Sequence, residues 1–213
     1  MNDVEKVPRE PKISIGMPVY NSEKFIRRAL DGLLSQTYSD FEIIISDNAS
    51  TDFTPKICEE YLKKDKRIRY FRQEQNMGGH WNFMFVLQQA KCKYFKWIAP
   101  DDIYLPDFLE KNISILESNK NLVGSISRID RFGPKFDVLN ANPNDSFFTK
   151  IRKRIQLHLM TSLDVVSFYG TYEKKVRLFM YKRIPIMFYA VFRTDILKKS
   201  VMDDLFVNND TSM

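Results

Sequence analysis

Short apolar runs of strand character alternate with longer runs of helical periodicity through the first hundred residues, and this alternation limits the choice of fold most. The pattern predicts strands at 12–17, 41–46, 67–73 and 94–99, with helices at 22–37, 51–64 and 81–90 between them. Strand, helix and strand in this order indicate parallel βαβ units with right-handed crossovers. We therefore predict an α/β fold in which a mostly parallel, Rossmann-like central sheet is flanked by helices.

Polar residues follow each of the predicted strands. The four clusters are Tyr20–Asn21, Asp47–Asn48, Asn76–Gly78 and Asp101–Asp102. Because right-handed crossovers bring every strand-to-helix turn to the same edge of the sheet, these clusters should converge on one crevice. Open α/β sheets bind their ligands there, so the sequence predicts a site at this edge.

The most informative of these clusters is Pro100-Asp101-Asp102, which ends the apolar strand containing Lys96 and Trp97. Two adjacent carboxylates repel each other unless a cation lies beside them, and carboxylate oxygens suit Mg²⁺ or Mn²⁺. The alternative interpretation is that Asp101 only caps a helix beginning near Leu105. The convergence of the other polar clusters favours the metal site.

Two of the 7 glycines, Gly78 and Gly79, are adjacent and directly precede a predicted helix. Glycines there permit a positive φ and a close approach of the backbone to a ligand, although an ordinary turn would also use them. The sequence has neither GxGxxG nor GxxxxGK[ST], the phosphate-binding motifs of Rossmann dinucleotide and P-loop proteins.

Several motifs, taken in order, resemble glycosyltransferase family 2. They are Ile15–Asn21, Ala29–Leu30, Ser35–Thr37, Glu42–Asp52, Asn76–Gly78 and Pro100–Asp102, followed by a weaker match at Tyr189–Thr194. The resemblance implies the GT-A fold and transfer of a sugar from a nucleotide diphosphate sugar. It also implies Mn²⁺ or Mg²⁺ as a cofactor and usually inversion at the anomeric carbon.

The same resemblance implies roles for individual residues. Asp102 would be the metal ligand, Asp101 would face the ribose or the sugar, and Asp47 would accept a hydrogen bond from the nucleobase. The other residues expected to bind the nucleotide sugar are Pro18, Val19, Tyr20, Asn21, Asn48, Asn76 and Gly78.

The catalytic base is expected after a late strand at 187–193 and a short helix that ends near residue 200. Asp210 best fits the family position, and Asp203 and Asp204 are the alternatives. All three would otherwise be solvated acids near a chain end.

The chain has 213 residues, of which 44% are hydrophobic, so it can bury the core of a single domain. We predict a polar tail at 1–11, a nucleotide-sugar half at 12–120 and an acceptor half at 121–213, truncated at its C-terminus. Cys58 and Cys92 have no metal-binding spacing, and they are expected to be buried thiols. With neither a secretory signal nor an apolar span in the sequence, a cytoplasmic location is expected.

Positive charge concentrates late in the chain, where residues 150–199 contain 12 Lys and Arg against 3 Asp and Glu. The pattern within 150–183 predicts amphipathic helices with basic faces. Such faces are solvated, or they contact anionic lipid or a lipid-phosphate-linked acceptor at the inner face of a membrane. Charge alone would also fit nucleic acid, but no nucleic-acid-binding motif is present, so that partner is not expected.

The function that follows is a metal-dependent, inverting glycosyltransferase of polysaccharide biosynthesis with a glycan or lipid-linked acceptor. A nucleotidyltransferase would place carboxylates similarly, but it would have a Gly-rich basic loop where this chain has Pro18–Glu23. The third interpretation is a GT-A-like binding module that has lost turnover.

Overall fold

The computed structural model describes residues 11–127, 145–149, 151 and 189–207, with only the backbone for 202–207. One compact unit takes in residues 1–127 and 171–213, and residues 128–170 form a second. The strands are β1 (Ile13–Val19), β2 (Phe41–Asp47), β3 (Ile68–Arg72), β4 (Tyr94–Trp97), β5 (Gly124–Ser125) and β6 (Val191–Arg193). The helices are α1 (Ile26–Leu34), α2 (Thr54–Lys64), α3 (Gly79–Gln89), α4 (Phe108–Ser118) and α5 (Thr194–Val207).

The strands form one mixed sheet in the order β3-β2-β1-β4-β6-β5. β1 pairs in parallel with both β2 and β4, and β2 pairs in parallel with β3. β6 runs antiparallel to both β4 and β5. The first four strands predicted from the sequence are therefore the parallel part of the sheet, and the antiparallel strands β6 and β5 extend it beyond β4.

Helices cover both faces of the sheet, which explains why β1 and β2 are buried along almost their whole length. One face packs against α1, α2 and α4, with Leu30, Ile57 and Ile113 in its core. The other face packs against α3 and α5, with Leu87 and Leu197 in its core.

Gly16 sets how closely α3 lies on β1. A Cβ at this position would lie 2.7 Å from Val86 Cγ2 and 2.8 Å from Phe95 Cζ, which is closer than packed carbon atoms approach. α3 can therefore approach β1 closely because this residue has no side chain.

The predicted start of the first helix is wrong. The sequence predicts a helix from residue 22, but the helix begins at Ile26 and has no side-chain cap bond. The Ser22 hydroxyl instead donates to the Tyr20 carbonyl at 3.2 Å, and the backbone N–H groups of Phe25 and Ile26 donate to the Ser22 carbonyl. A turn therefore occupies the stretch that apolar spacing had assigned to the helix.

Other predicted boundaries move by a few residues. The second helix begins at Thr54 rather than near Thr51, and Leu62 near its end is 41% exposed although it is apolar. The late strand is confined to β6 among the described residues, and the helix that follows it extends to Val207 rather than to about residue 200.

Some predictions fall on residues that the structure does not describe. Asp210 lies outside the described residues, as do residues 1–10 and, apart from Ile151, the basic helices predicted within 150–183. Asp203 and Asp204 lie on the backbone of α5, but their side chains are outside the description as well. The division into halves at 12–120 and 121–213 stays a prediction.

No helix in the described part of the chain has the length and apolarity needed to cross a bilayer.

Candidate functional site

The carboxyl ends of β3, β2, β1 and β4 lie side by side at one edge of the sheet, as their parallel pairing requires. Hydrogen bonds connect the segment after β2 to the end of β1, and α1 to the turn after β4. The Asn48 N–H donates to the Val19 carbonyl at 3.0 Å, and an Arg28 guanidinium N–H donates to the Asp101 carbonyl at 3.4 Å. The four polar clusters therefore follow neighbouring strands at one edge of the sheet.

The acidic turn after β4 presents its two carboxylates differently. Asp101 is exposed, whereas Asp102 is partly buried. Asp102 Oδ2 accepts from the Ala99 N–H at 3.4 Å and from the Tyr104 hydroxyl at 3.2 Å, so this carboxylate folds back over its own turn. Asp101 is not a helix cap, because α4 begins at Phe108 and follows Asp107.

Burial is the main cause of a raised pKa at Asp102. The neighbouring Asp101 carboxylate raises this pKa further, whereas the positive charge of Lys96 and the hydrogen bonds from Tyr104 and Ala99 oppose the rise. The ionised form of Asp102 is thus costly in this turn, and positive charge placed beside it would be favourable.

The acidic turn fits a hard divalent cation that also binds substrate phosphates. Among the described residues, no three His, Cys, Asp or Glu side chains gather closely enough to hold a metal ion by themselves. Asp101 and Asp102 can supply one or two carboxylate ligands. Mg²⁺ is commonly bound this way in phosphate-handling sites, where substrate oxygens and water complete the coordination.

Asn48 and Asn76 join the loops after β2 and β3. Asn48 Nδ2 donates to Asn76 Oδ1 at 2.7 Å, and Asn48 Oδ1 accepts from the Met77 N–H at 2.8 Å. Asn76 Oδ1 also accepts from the Gly78 N–H at 2.9 Å. Gly78 has a φ of 87°, which fulfils the expectation of a positive φ at the paired glycines. A Cβ placed on Gly78 or Gly79 would meet no atom within 4 Å, so open space lies beside the start of α3.

Asp47 is fully buried at the end of β2. Its Oδ1 accepts from the Ser50 N–H at 2.9 Å, and its Oδ2 accepts from the Tyr70 hydroxyl at 2.9 Å. The Arg72 guanidinium lies 3.9 Å from Oδ2. Both oxygens are therefore used within the chain, so a nucleobase contact at Asp47, which stays a prediction, would compete with these bonds.

The loop after β1 is held to the loop after β2. The Asn21 N–H donates to Ser50 Oγ at 2.9 Å, and Asn21 Oδ1 accepts from the Thr51 N–H at 2.9 Å. Asn21 adopts a φ of 47°, which is uncommon for a residue other than glycine. Pro18 and Val19 lie within β1, whereas Tyr20 is 48% exposed and accessible to a ligand.

Comparison with protein families decides what this arrangement belongs to. The family described as Glycosyl transferase family 2 matches residues 14–200. The chain belongs to glycosyltransferase family 2. This confirms the family that the motifs after the strands predicted.

A curated relative of this family 2 chain is an uncharacterized glycosyltransferase of Rickettsia bellii, strain RML369-C. It is 37% identical over 153 residues, which are 69% of this chain and 21% of the relative. The first several curated relatives are matched over 21% to 40% of their own lengths. The chain thus spans well under half of these relatives.

Solved structures confirm the GT-A fold of this family 2 chain. S. aureus TarS 1–349 in complex with UDP-GlcNAc aligns with a TM-score of 0.58 and 21% identity, over 88% of this chain and 47% of that one. The mannosyltransferase PcManGT from Pyrobaculum calidifontis, in complex with GDP-Man and Mn²⁺, aligns with a TM-score of 0.52 and 20% identity. That alignment covers 62% of this chain and 39% of PcManGT.

Sequence reasoning missed two residues beside the acidic turn and one near the end of β1. Lys96 is fully buried in β4, and Tyr104 donates to Asp102. Asn82 is 3% exposed, and its Nδ2 donates to the Ser46 carbonyl at 3.0 Å and the Val19 carbonyl at 3.4 Å. A lysine within an apolar strand was the available signal for Lys96, whereas nothing in the local sequence marks Tyr104 or Asn82.

Proposed function

We propose that this family 2 chain is a metal-dependent, inverting glycosyltransferase that takes its sugar from a nucleotide diphosphate sugar. The observation that carries the proposal is the position of the turn of Asp101 and Asp102 at the carboxyl end of β4. This turn lies beside the loops after β1, β2 and β3, which hydrogen bonds join to one another. This is the edge at which open α/β sheets bind ligands. Fold neighbours are solved with UDP-GlcNAc and with GDP-Man, which supports a donor of this class.

In this proposal, the loops after the parallel strands hold the nucleotide. Tyr20 is exposed and can stack on the base, while the backbone at Pro18 and Val19 forms the facing wall. The crevice is shaped by Asn21, Asn48, Asn76 and Gly78. Asp47 either accepts a hydrogen bond from the base or holds the turn that contacts the base. Asp101, which is exposed, faces the ribose or the sugar.

Mn²⁺ or Mg²⁺ is the proposed cofactor, with Asp102 as the chain's ligand. When bound, the cation neutralises charge that develops on the diphosphate leaving group and helps to orient it. Asp102 contributes a negative charge whose ionisation the turn otherwise disfavours, so cation binding and ionisation of this carboxylate support each other. The Mn²⁺ in the PcManGT structure supports a cofactor of this type.

The acceptor hydroxyl needs a base on the side of the sugar opposite the leaving group. We assign this role to Asp210, with Asp203 and Asp204 as alternatives. Asp210→Asn should lower turnover by about 100-fold or more, the usual range for a general base, with donor-nucleotide affinity nearly unchanged. Turnover equal to that of the wild type in this variant would mean that the catalytic base is Asp203, Asp204 or another residue.

The proposed acceptor is a glycan or a lipid-linked sugar, with peripheral contact to a membrane. Phe147 is 71% exposed and Phe148 is 81% exposed, and only Thr149 separates them from the basic sequence Lys150–Arg154. Aromatic side chains next to basic residues suit an anionic bilayer surface. Co-sedimentation with vesicles of phosphatidylglycerol, but not of phosphatidylcholine, is the expected result, and loss of both phenylalanines should abolish it.

The donor experiment is a thermal shift with UDP, GDP, dTDP and CDP, each with and without Mn²⁺. A ligand at a hundred times its Kd should stabilise the fold by about 2.7 kcal/mol. One nucleotide should stabilise the chain, and Mn²⁺ should increase that effect. No shift with any nucleotide would favour a binding module without turnover.

A further inference from the structure

Lys96 is a lysine at a fully buried position in β4, between Phe95 and Trp97. Lysine is almost never fully buried unless something compensates its charge. Burial lowers the pKa of this ammonium to about 7, and the Asp102 carboxylate opposes that change, so Lys96 is mostly charged only below neutral pH. The groups around Lys96 therefore indicate why this apolar strand contains a lysine.

Among the described residues, three aromatic rings lie against the ammonium of Lys96, and we call them its aromatic cage. Its Nζ lies 5.2 Å from the centroid of the Tyr104 ring, 5.5 Å from that of Tyr189 and 5.8 Å from that of Phe108. Ring faces attract cations within about 6 Å. The rings come from the loop before α4, from α4 and from the segment before β6, so tertiary packing builds this cage.

The cage is connected to the acidic turn. The hydroxyl of Tyr104 donates to Asp102 Oδ2 at 3.2 Å, while the ring of the same residue lies against Lys96. The positive charge of Lys96 also favours the ionised form of Asp102, and the Asp102 carboxylate favours the charged form of Lys96. The chain thus places a buried cation of its own close to the proposed metal ligand.

We propose that Lys96 is a positioning residue of the site. Its ammonium, held in the aromatic cage, is the countercharge of Asp102 and determines how tightly the acidic turn binds a divalent cation. The inference rests on the proposed function, which supplies the cation. An ammonium and a divalent cation that share one carboxylate repel each other. Lys96 therefore stabilises the turn before the donor arrives and weakens cation binding afterwards.

The first experiment measures the Kd of Mn²⁺ by calorimetry at pH 6.5, with the nucleotide that stabilises the wild type held at saturation. In Lys96→Met we expect Mn²⁺ to bind about fivefold more tightly or better, because one positive charge near the site is gone. An Mn²⁺ affinity equal to or weaker than that of the wild type would overturn the inference. If the wild type binds no nucleotide with Mn²⁺, the proposed function fails instead.

The matched control is Lys198→Met. Lys198 is a partly buried lysine on α5 whose Nζ donates to the backbone carbonyls of Gln88 and Ala90, at 3.2 and 2.7 Å. The substitution removes the same charge from the chain without touching the acidic turn. We expect it to keep the wild-type affinity for Mn²⁺, and equal tightening in both variants would contradict a local role for Lys96.

The second experiment needs neither metal nor nucleotide. The Tm is measured for Lys96→Met, for Asp102→Asn and for the double variant. If the two charges compensate each other, each single substitution leaves the other charge uncompensated, so the double variant should lose less stability than the two losses added together. Should Lys96→Met fail to fold alone, Asp102→Asn is expected to restore folding. Additive losses, or no restoration, would overturn the inference.

Discussion

At the scale of single residues, two opposing effects act on the Asp102 carboxylate. Its hydrogen bonds from Ala99 and Tyr104 fix the carboxylate at the turn, while burial and the charge of Asp101 disfavour its ionised form. The hydrogen bonds of this turn need an acceptor but no full charge, whereas a divalent cation and the buried ammonium of Lys96 both favour a charged carboxylate. Replacing Asp102 by a residue of the same shape without the charge should therefore impair function while the chain still folds.

Asp102→Asn should abolish the Mn²⁺-dependent part of nucleotide binding and leave a folded chain. The amide keeps an oxygen that can accept from Tyr104, but it is a far weaker ligand for a hard cation than a carboxylate. Thermal shift with nucleotide, with and without Mn²⁺, measures both properties. Asp107→Asn is the control, because Asp107 is partly exposed, lies directly before α4 and pairs with Lys111. If nucleotide binding by Asp102→Asn depends on Mn²⁺ as it does in the wild type, Asp102 is not the metal ligand.

Asp47→Ala should weaken nucleotide binding and also lower the free energy of unfolding, each by about 1–3 kcal/mol. The Ser50 N–H and the Tyr70 hydroxyl would lose their acceptor in a fully buried place. Urea unfolding and nucleotide titration measure the two effects.

Tyr70→Phe separates the two roles of Asp47, because it removes only the hydroxyl that donates to the carboxylate. If nucleotide affinity falls in Asp47→Ala but not in Tyr70→Phe, the carboxylate itself serves the ligand. Wild-type nucleotide affinity in Asp47→Ala would leave Asp47 a purely structural role at the turn.

The sequence could predict which polar residues follow the strands, but not how they pair. Asn48 bonds to Asn76 across 28 residues of chain, and Asn21 bonds to Thr51 across 30. Such contacts depend on the exact path of each loop, which local residue preferences do not determine. This is why the three asparagines, which were assigned only to ligand binding, also join one loop to another.

At the scale of elements, the contact between α3 and β1 depends on Gly16. Gly16→Ala would force its Cβ against Val86 and Phe95. Overpacking of this kind commonly costs about 1–3 kcal/mol, so we expect a lower Tm. The matched control is Gly32→Ala in α1, where a Cβ meets nothing within 4 Å and alanine favours the helix by about 0.5–1 kcal/mol. A Tm for Gly16→Ala at or above that of the wild type would contradict this packing.

The parallel part of the sheet could be predicted because burial on both faces leaves a strong apolar signal in β1, β2 and β4. Helix starts were harder to predict. Ser22 looks like a cap, but its hydroxyl bonds to Tyr20 and its carbonyl closes a turn, so the helix begins four residues later. The short antiparallel β5 was not predicted, because two residues carry no periodicity.

At the scale of the whole molecule, helices on both faces of the sheet bury groups that titrate only in alkali. Burial raises the pKa of Tyr38 and of Tyr61 to about 12, and the Asp31 carboxylate that accepts from Tyr61 adds to the second rise. Burial also raises the pKa of the thiols of Cys58, to about 12, and Cys92, to about 11. Both cysteines are buried and free, as the sequence predicted.

These four groups predict that the fold loses stability in alkali. Each has a pKa that is higher in the folded chain than its ordinary value of 10.0 for tyrosine or 9.0 for cysteine, so the unfolded chain releases these protons first. Their contribution is complete below about pH 9 and is lost as the pH rises from there towards 12. Urea unfolding at pH 8 and at pH 10.5 should therefore show a smaller free energy of unfolding at the higher pH. Thiolate absorbance near 240 nm should rise together with unfolding rather than before it, and early thiolate formation in the folded chain would show that the thiols are accessible to water.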